Sequence, residues 1–472
     1  MRARSPPPGF SDMRFPTTAS TIAIAVAAVL VACRDATAPK MLPEPILAIS
    51  SDSVAGVPQL RLTVATPTRV QVDYWQDSSY VLRVHEALTT ADNTVALTRV
   101  RAGELYHYSA RTVGTDGRLG TATNGMFTAP SLPPDLQQLG LAVVGTPTSP
   151  LTMLEVNGAF KGYVAVDGTG RIVWYWRTVN APQGFTRRPN GNLVLNDPGN
   201  AITELSANGL VVHRLSTIDL DLQAHHDLVA TTLGTILFLA KDIRTVNGTA
   251  LFGDAIYEWS PESGAVNKRW SVFDFYDPSV DWGDVSTPGD WVHANSLAIG
   301  PHGNVLLSLN WLSQVVSIAS DWKSLEWKLG GPGSSFTVDS DAVFLGQHNV
   351  QQLSETRVLL FDNGRGRPSG AQLSRALEVA LDPVTHTAHR AWEFRASPDI
   401  FAPYIGAVDR LANGNTVVHF GLPAGRSGST GPIATFEVEP DGHAVSALIT
   451  TNVTSVYRAT PLTTIAGELR IR

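Results

Sequence analysis

The stretch from residue 224 to residue 242, AHHDLVATTLGTILFLAKD, contains the unit from which most of this chain is built. A short strand begins at a histidine pair and runs to a polar turn. A second, very apolar strand over residues 235–239 follows and ends at Lys241 and Asp242. Two such strands joined by a short turn are typical of an antiparallel pair.

The same unit recurs along the chain. Two further copies begin at His293 and His348. Copies without a leading histidine cover residues 160–176, 185–197 and 407–421, with Asp-Gly or Asn-Gly at their turns. Paired strands that repeat every few tens of residues are typical of radial β repeats. We therefore predict an all-β protein in which residues 135–472 form a six-bladed β-propeller, with residues 451–472 completing the ring beside its first strand.

Polar residues recur where these strands begin and end. In a propeller, the first strand of each blade lines the central channel and the second runs antiparallel beside it, so the start of one and the end of the other lie at one rim. The residues at these places are His226 with Lys241 and Asp242, His293 with Asn310, and His348 with Asp362 and Asn363. We predict that the three imidazoles converge at one mouth of the channel and that the polar residues bind substrate there.

The amino-terminal region has the features of an export signal. Residues 21–32 form an apolar run that is too short to span a bilayer but suits the core of a signal peptide. The run ends at Cys33, the only cysteine of the chain, and so resembles a bacterial lipoprotein signal. We predict a signal peptide over residues 1–33 and lipidation of Cys33. The protein would then be anchored by lipid at the periplasmic side of the outer membrane or at the cell surface.

Two alternatives remain open for this region. The segment also fits an ordinary secretory signal in which the cysteine is a chance occurrence or a buried thiol. Translation can begin at Met1 or at Met13, because the residues before Met13 do not look like the start of a signal peptide.

A linker over residues 34–45 precedes a region of alternating apolar and polar residues. The alternation, which is typical of half-buried strands, is clearest at Leu60, Leu62, Val70, Val72 and Tyr74. The stretch LYHYSAR over residues 105–111 resembles a late strand of fibronectin type III domains, in which a tyrosine packs on the core. We predict a fibronectin type III-like β-sandwich over residues 46–130, with no chemistry of its own.

Composition supports a chain of many short strands and argues against one class of partner. Hydrophobic residues make up 43% of the chain, and 40 glycines and 30 prolines supply turns. The formal net charge of −7 and the lack of a basic stripe argue against nucleic-acid binding. A single cysteine excludes an internal disulfide.

Four motifs in a fixed order resemble the arylsulfotransferase family of bacterial exported proteins. The motifs are WVHANS at residues 291–296, WKLGG at 327–331, QH at 347–348 and LFDNG at 360–364. The similarity extends over about residues 224–421. It implies a six-bladed propeller that moves a sulfuryl group from an aryl sulfate to a phenol without the nucleotide donor PAPS and without a cofactor, while a histidine holds the group in between.

The resemblance also implies roles for single residues. His348 matches the histidine that accepts the sulfuryl group, and His293 and Asn295 match residues that hold its oxygens and assist proton movement. His226 matches another histidine of the site. These residue types suit the reaction, because a neutral imidazole is a good nucleophile and a second imidazole can transfer the proton of a phenol.

One position departs from the family. Its members have an arginine in a Ser-x-Arg setting, whereas this chain has Asn310 after Ser308 and Leu309. Loss of a charged donor at such a site costs roughly 3 kcal/mol in transition-state stabilisation. Lys241, Arg365 and Arg367 are candidates to replace the missing charge. The alternative function is that of a lipid-anchored propeller that binds a ligand or protein partner without catalysis.

Two further hypotheses concern the histidines. Three imidazoles on one rim also suit zinc or copper, but the chain has no His-x-His pair and the nearby acidic residues are single, so we predict no metal site. Strand alternation predicts that His225 points away from His226 and has a structural role.

Overall fold

The computed structural model describes residues 46–49, 57–62, 68–88, 93–206, 209–246, 248–281, 289–368 and 371–471. Within these ranges the regular secondary structure is β-strand, apart from two short 3-10 turns at Val272–Asp274 and Arg426–Gly428. The described part of the chain contains no helix long and apolar enough to cross a membrane. The predicted signal peptide, Cys33 and the whole predicted linker over residues 34–45 lie outside the described residues.

The first seven strands form two sheets. They are β1 (Ile46–Ile49), β2 (Pro58–Leu62), β3 (Thr68–Trp75), β4 (Val81–Leu88), β5 (Asn93–Ala96), β6 (Leu105–Val113) and β7 (Thr123–Thr128). One sheet has the order β1-β2-β5 and the other β4-β3-β6-β7. A short strand from the carboxyl end, Leu469–Arg470, pairs with the outer edge of β4.

These two sheets share one hydrophobic core. Leu60 and Val95 from the first sheet pack in the same cluster as Val72 and Tyr74 from the second. All four are fully buried, as the alternation of apolar residues predicts. The hydroxyl of Tyr74 donates a hydrogen bond of 2.8 Å to the carbonyl of Thr98, so its one polar atom has a partner inside the core.

The remaining described residues form six further sheets, which are antiparallel except where the short β24 lies beside β28. After β8 (Gly140–Gly145), sheet 1 contains β9 (Leu151–Asn157), β10 (Lys161–Asp167) and β11 (Ile172–Arg177), and sheet 2 contains β12 (Phe185–Arg187), β13 (Leu193–Asp197), β14 (Ala201–Leu205) and β15 (Val211–Ser216). Sheet 3 contains β16 (Ala224–Ala230), β17 (Ile236–Val246), β18 (Thr249–Ser260) and β19 (Ala265–Ser271), and sheet 4 contains β20 (Ala294–Ile299), β21 (Val305–Leu309), β22 (Gln314–Ile318) and β23 (Leu325–Leu329). Sheet 5 contains β24 (Thr337–Val338), β25 (His348–Ser354), β26 (Arg357–Asp362), β27 (Arg375–Asp382) and β28 (Thr387–Phe394), and sheet 6 contains β29 (Ala407–Arg410), β30 (Thr416–Phe420), β31 (Ile433–Val438) and β32 (Ala444–Thr451). The last strands are β33 (Ser455–Leu462) and β34 (Leu469–Arg470).

The strands at the two ends of this region pair with sheets at its opposite ends. β33 pairs with β9 and so becomes the fourth strand of sheet 1, while β8 pairs with β32 at the edge of sheet 6. Of the segment over residues 451–472, which the sequence places beside the first strand, Thr451 is the residue that pairs with β8, and β33 pairs with β9. The last strand, β34, differs from the prediction because it pairs with β4, outside this region.

Successive sheets pack against each other through shared hydrophobic clusters. One cluster joins Leu195 of sheet 2 to Met153 of sheet 1, and others join each following pair of sheets. Sheet 6 shares a cluster with sheet 1 in turn. Between sheets 5 and 6 the rings of Phe361 and Phe420 meet edge to face at 5.3 Å. Gly406 must be glycine there, because a Cβ atom would lie 2.3 Å from the Phe361 ring.

A β-bulge recurs in β16 of sheet 3, β20 of sheet 4 and β25 of sheet 5. The register of each strand pair shifts at Asp227, Asn295 and Asn349. Each of these side chains bonds to backbone of the next sheet. Asp227 accepts from the amide of Leu297 (2.8 Å), Asn295 donates to the carbonyl of Gln347 (2.8 Å), and Asn349 accepts from the amide of Val408 (2.8 Å). The bulges therefore link neighbouring sheets next to the predicted histidine positions.

Candidate functional site

The structure brings the three predicted imidazoles together. The rings of His226 and His293 are 4.7 Å apart between centroids. The ring of Tyr457 lies 6.0 Å from His226 and 6.5 Å from His348, so it stands between sheets 3 and 5. His348 is buried, whereas the side chain of His293 is 24% exposed.

The backbone around the histidines is unusual. His226, His293 and Asn349 have φ angles of 54°, 51° and 43°, in the left-handed region that non-glycine residues seldom occupy. The histidines do not share one register position. His348 pairs with Phe361 as the first residue of β25, His293 precedes β20, and His226 lies within the bulge of β16. The bulges and left-handed residues, and not a strict repeat, therefore bring the rings together.

Hydrogen bonds fix the tautomer of His348. Its Nδ1 lies 2.8 Å from the side-chain oxygen of Asn363, whose NH2 group donates to the carbonyls of Ala402 (2.7 Å) and Ile405 (2.8 Å). Because both amide hydrogens of Asn363 are used, its oxygen faces His348 and accepts the Nδ1 proton. Nε2 is then left with a free lone pair. Burial lowers the pKa of His348 to about 3, so the ring is neutral at ordinary pH.

A carboxylate orients His293. Its Nδ1 lies 2.6 Å from Oδ2 of Asp290, and the other oxygen of Asp290 lies 3.1 Å from Nζ of Lys241. Lys241 also binds Asp254 at 2.8 Å. Burial opposes the charge of Asp290, but the hydrogen bond from His293 and the lysine ammonium lower the pKa of this carboxyl below its ordinary value. An imidazole held in this way can accept a proton at Nε2 and be stabilised as imidazolium.

His225 lies against His226, and the prediction that it points away was wrong. The two Nδ1 atoms are 2.8 Å apart and the rings meet edge to face at 4.9 Å. The bulge with its left-handed His226 breaks the alternation on which that prediction depended. Burial, followed by the neighbouring His293 and His225, lowers the pKa of His226 well below its ordinary value.

The polar residues predicted at the rim have different partners. Lys241 is engaged by two carboxylates, as described above. Asp362 is fully buried, accepts from the amides of Leu345 and Gly364 (both 3.0 Å) and pairs with Arg367 and Arg375, so it stabilises the turn that positions Asn363. Asp242 pairs with Arg244 and Lys268. Of the rim residues on sheet 5, Asn363 therefore contacts an imidazole directly, and Asp362 does not.

Asn310, which the motif resemblance matches to an arginine of the family, forms hydrogen bonds to the backbone. Its NH2 group donates to the carbonyls of Gly346 (2.7 Å) and Gln347 (3.0 Å) and lies 3.5 Å from Nδ1 of His348. Its oxygen faces the guanidinium of Arg365 at 3.5 Å. Asn295 is similar, since its NH2 group is bound to Gln347 while its buried oxygen has no hydrogen-bond partner among the described residues.

Arg365 is the one of the three candidate cations without an acidic partner. No carboxylate of the described residues lies within 4 Å of its guanidinium, whereas Lys241 and Arg367 are both paired. Its guanidinium carbon lies 4.0 Å from the centroid of the Trp311 ring and 5.3 Å from that of Tyr404. The Trp311 ring in turn lies 4.8 Å from the ring of His293. One side chain therefore separates Arg365 from each imidazole: Asn310 lies between Arg365 and His348, and Trp311 lies between Arg365 and His293.

Sequence reasoning missed several residues of the site, above all Tyr457 and Arg458 of β33. The buried guanidinium of Arg458 binds both oxygens of Asp227, at 2.6 and 2.9 Å, and donates to the carbonyl of Asn295 at 3.2 Å. Although burial opposes its charge, Asp227 raises the pKa of Arg458. No local pattern marks these residues, but the position of β33 as the strand that completes sheet 1 was a usable signal.

In chemical terms, the site combines neutral imidazoles with fixed donors. Nε2 of His348 has a free lone pair, and Nδ1 of His293 is bound to a carboxylate. The guanidinium of Arg365 contacts Asn310 and Trp311, which are neighbours of these two rings. Within the described ranges, no group of three or more His, Cys, Asp or Glu side chains is arranged to hold a metal ion. The fold and the site thus define an all-β protein with a histidine-based centre between several sheets.

The chain belongs to the arylsulfotransferase family. The family model described as Arylsulfotransferase (ASST) matches residues 142–458, which include all six sheets apart from short segments at their ends. This confirms the resemblance drawn from the motifs. No curated protein matches the chain.

The solved structures matched by this chain have little sequence in common with it. A protein of unknown function from Bacteroides caccae is 12% identical, with 67% of this chain and 100% of that chain covered and a TM-score of 0.45. Virginiamycin B lyase from Staphylococcus aureus is 11% identical, with coverage of 75% and 93% and a TM-score of 0.33. Hydrazine synthase from Kuenenia stuttgartiensis is 12% identical, with coverage of 68% and 92% and a TM-score of 0.31.

Proposed function

We propose that the protein transfers a sulfuryl group from an aryl sulfate to a phenol through an N-sulfonated His348. Family membership supports aryl sulfotransferase activity in general. The single observation that supports the histidine route most strongly is the hydrogen bond between Nδ1 of His348 and Asn363. It holds the proton on Nδ1 and leaves the Nε2 lone pair for attack on sulfur.

In the first half of the proposed reaction, Nε2 of His348 forms a bond to sulfur while the bond from sulfur to the aryl oxygen breaks. The departing phenolate takes a proton from the imidazolium of His293. The sulfonated ring of His348 keeps its Nδ1 proton and gains positive charge, which the oxygen of Asn363 stabilises through the hydrogen bond that already exists. The negative charge of the sulfuryl oxygens needs a cation nearby.

In the second half, the acceptor phenol gives its proton to His293 and its oxygen attacks sulfur. The bond between sulfur and Nε2 of His348 breaks, and the free imidazole is restored. Asp290 stabilises His293 in its protonated form during both halves, because its carboxylate is 2.6 Å from Nδ1. Ping-pong kinetics follow from this order of steps.

Arg365 is proposed to supply the charge that the family arginine provides elsewhere. It approaches Asn310, which stands at that arginine's position, and it has no carboxylate partner among the described residues. Stacking on Trp311 orients the guanidinium while leaving its N–H groups available.

Release of nitrophenolate tests the proposed activity. Purified protein incubated with p-nitrophenyl sulfate and phenol should release nitrophenolate, and His348→Ala should abolish the release. His302→Ala is the matched control, because His302 is an exposed imidazole paired with Glu355 and should be dispensable. If the wild-type protein releases no nitrophenolate, or if His348→Ala releases it at the wild-type rate, the proposal is overturned and the alternative of a non-catalytic binding protein is favoured.

The finer architecture and the location are also proposals. We infer that the six sheets are the blades of a propeller over residues 135–472 that follows a fibronectin type III-like domain over residues 46–130. The support is that each sheet shares a hydrophobic cluster with the next and sheet 6 with sheet 1. We further propose export as a lipoprotein anchored at Cys33, on the basis of the apolar run before it. Incorporation of labelled palmitate into the wild-type protein but not into Cys33→Ser would support this anchor, and equal labelling would contradict it.

A further inference from the structure

A cavity without a histidine in its lining lies where the sheets of residues 46–128 meet sheet 1. Its volume is about 370 Å³, within the range of about 300–1,000 Å³ that is usual for small-molecule pockets. Tyr80, Arg99, Arg101, Thr148, Asp167 and Arg470 are among its lining residues. The sulfuryl transfer proposed above does not use these residues.

Arg99 is the unusual residue of this cavity. Its side chain is buried, with a residue exposure of 7%, and it forms no ion pair or hydrogen bond with any described residue. Its buried Nε atom is left without a partner. Buried charges in proteins are normally paired, because removing an isolated charge from water costs a large free energy.

The backbone of Arg99 adds a second cost. Its φ angle is +62°, in the left-handed region, which disfavours a residue as large as arginine. The guanidinium group of Arg99 stacks on the ring of Tyr80, with the guanidinium carbon 5.8 Å from the ring centroid. An unpaired, buried and strained cation at the wall of a cavity is explained if a ligand supplies the missing acceptors.

The surroundings of Arg99 favour an anion. Arg470 stacks on the same Tyr80 ring at 4.7 Å, and Arg101 enters the cavity while paired with Asp167 at 2.9 Å. Asp167 already accepts from Thr169 and Arg171, so its charge is shared among several donors. Asp77, the other acidic residue of the lining, lies at the solvent edge and binds Ser79. Guanidinium groups therefore outnumber carboxylates around the cavity.

We propose that this cavity binds an organic oxyanion, that is, a small molecule with a carboxylate, phosphate or sulfate group attached to an apolar or aromatic part. The free N–H groups of Arg99 would donate to the oxyanion in the forked geometry that guanidinium offers. The ring of Tyr80 and the neighbouring prolines, Pro147 and Pro150, would contact the apolar part. The volume exceeds what a single inorganic ion needs, which is why the ligand is taken to be organic.

Titration calorimetry and thermal unfolding at constant ionic strength test this proposal. The probes are phenyl phosphate and benzoate, with inorganic phosphate to detect binding of the anion alone and sodium chloride to set the baseline. The wild-type protein should bind at least one of the two organic probes saturably and more tightly than inorganic phosphate. Equal or tighter binding of inorganic phosphate, or no saturable binding of either organic probe, would overturn the proposal.

Two variants keep the test specific to this cavity. Arg99→Asn and Arg99→Gly both accept a φ angle of +62°, so at least one should fold and each should lower the affinity for the organic probe at least tenfold. Arg118→Asn is the matched control, because that arginine is exposed on the same β-sandwich, and it should bind as the wild type does. His348→Ala should also bind normally, which separates this site from the proposed sulfuryl transfer. Unchanged binding by the Arg99 variants, or loss of binding in His348→Ala, would contradict the assignment.

Discussion

At the scale of single residues, the central feature is the way in which Asn363 determines what His348 can do. The NH2 group of Asn363 donates to two carbonyls, so the atom that faces His348 is the amide oxygen, which accepts a hydrogen bond. The imidazole must then hold its proton on Nδ1, and burial keeps the ring neutral by lowering its pKa to about 3. A neutral ring of defined tautomer is what nucleophilic attack from Nε2 requires.

Removing the side chain of Asn363 should therefore reduce the rate of transfer. For Asn363→Ala we expect kcat for nitrophenolate release to fall by about 10²-fold, because the ring loses its fixed tautomer and the charge of the sulfonated ring loses its acceptor. Steady-state kinetics measure this. Asn267→Ala, at an exposed position of β19, should keep the wild-type rate, and a wild-type kcat in Asn363→Ala would show that tautomer control is unimportant.

Arg365 provides a second prediction at this scale. If its guanidinium binds the sulfuryl oxygens in the transition state, Arg365→Ala should lower kcat/KM by about 10²- to 10³-fold. Arg365→Lys should recover part of this loss, because lysine keeps the charge but not the forked geometry. The exposed Arg118→Ala is the control. Full activity of Arg365→Ala would mean that another group, such as Arg458, balances the charge.

At the scale of strands, the sequence predicted the strand pairs but not the bulges within them. Apolar alternation and the repeated histidine units predicted the paired strands and the group of imidazoles. The contact between His225 and His226 was not predictable from alternation, because a bulge adds a residue to β16 and turns the second ring. Tyr457 and Arg458 were missed for a different reason: β33 comes from the end of the chain and reaches the site only by pairing with β9.

The bulge residue Asn349 allows a stability test at this scale. It has a φ angle of 43° and accepts from the buried amide of Val408. Asn349→Ala should lower the free energy of unfolding by about 2–4 kcal/mol, because it leaves that amide unpaired and places alanine in the left-handed region. Asn349→Gly should cost less by about 1 kcal/mol, since glycine accepts the backbone conformation.

Urea unfolding of the two Asn349 variants measures this difference. Asn267→Ala again serves as the control, since it changes an exposed strand residue and should leave stability almost unchanged. Equal stability of Asn349→Ala and the wild-type protein would show that the bond between sheets 5 and 6 contributes little.

At the scale of the whole molecule, buried ionisable groups near the meeting point of the sheets make stability depend on pH. Glu155 of β9 accepts from the amide of Gly184, just before β12 of sheet 2, at 2.7 Å, while its other oxygen has no partner among the described residues. Burial raises its pKa from 4.5 to about 7. His348 has the opposite shift, so the two groups oppose each other as the pH changes.

The sign for Glu155 is fixed by the direction of its shift. Between pH 4.5 and 7 the folded protein binds a proton at Glu155 that the unfolded chain has released, so its contribution to stability is lost as the pH rises through that range. Glu155→Gln does not titrate. As the pH rises from 4.5 to 7.5, the midpoint temperature of the wild type should therefore fall relative to that of Glu155→Gln.

Thermal unfolding across this pH range checks the prediction. Glu355→Gln, at an exposed position, should follow the wild-type curve at every pH. A constant difference between Glu155→Gln and the wild type would show that folding does not raise the pKa of Glu155.

The covalent intermediate is the most direct test of the account. The wild-type protein should be incubated with p-nitrophenyl sulfate alone, quenched and digested at alkaline pH, and analysed by mass spectrometry. We expect the mass of one sulfuryl group on the peptide that contains His348, its loss when phenol is added before quenching, and no adduct in His348→Ala. Nitrophenolate release with an unmodified His348 peptide, or an adduct on another residue, would contradict the central claim.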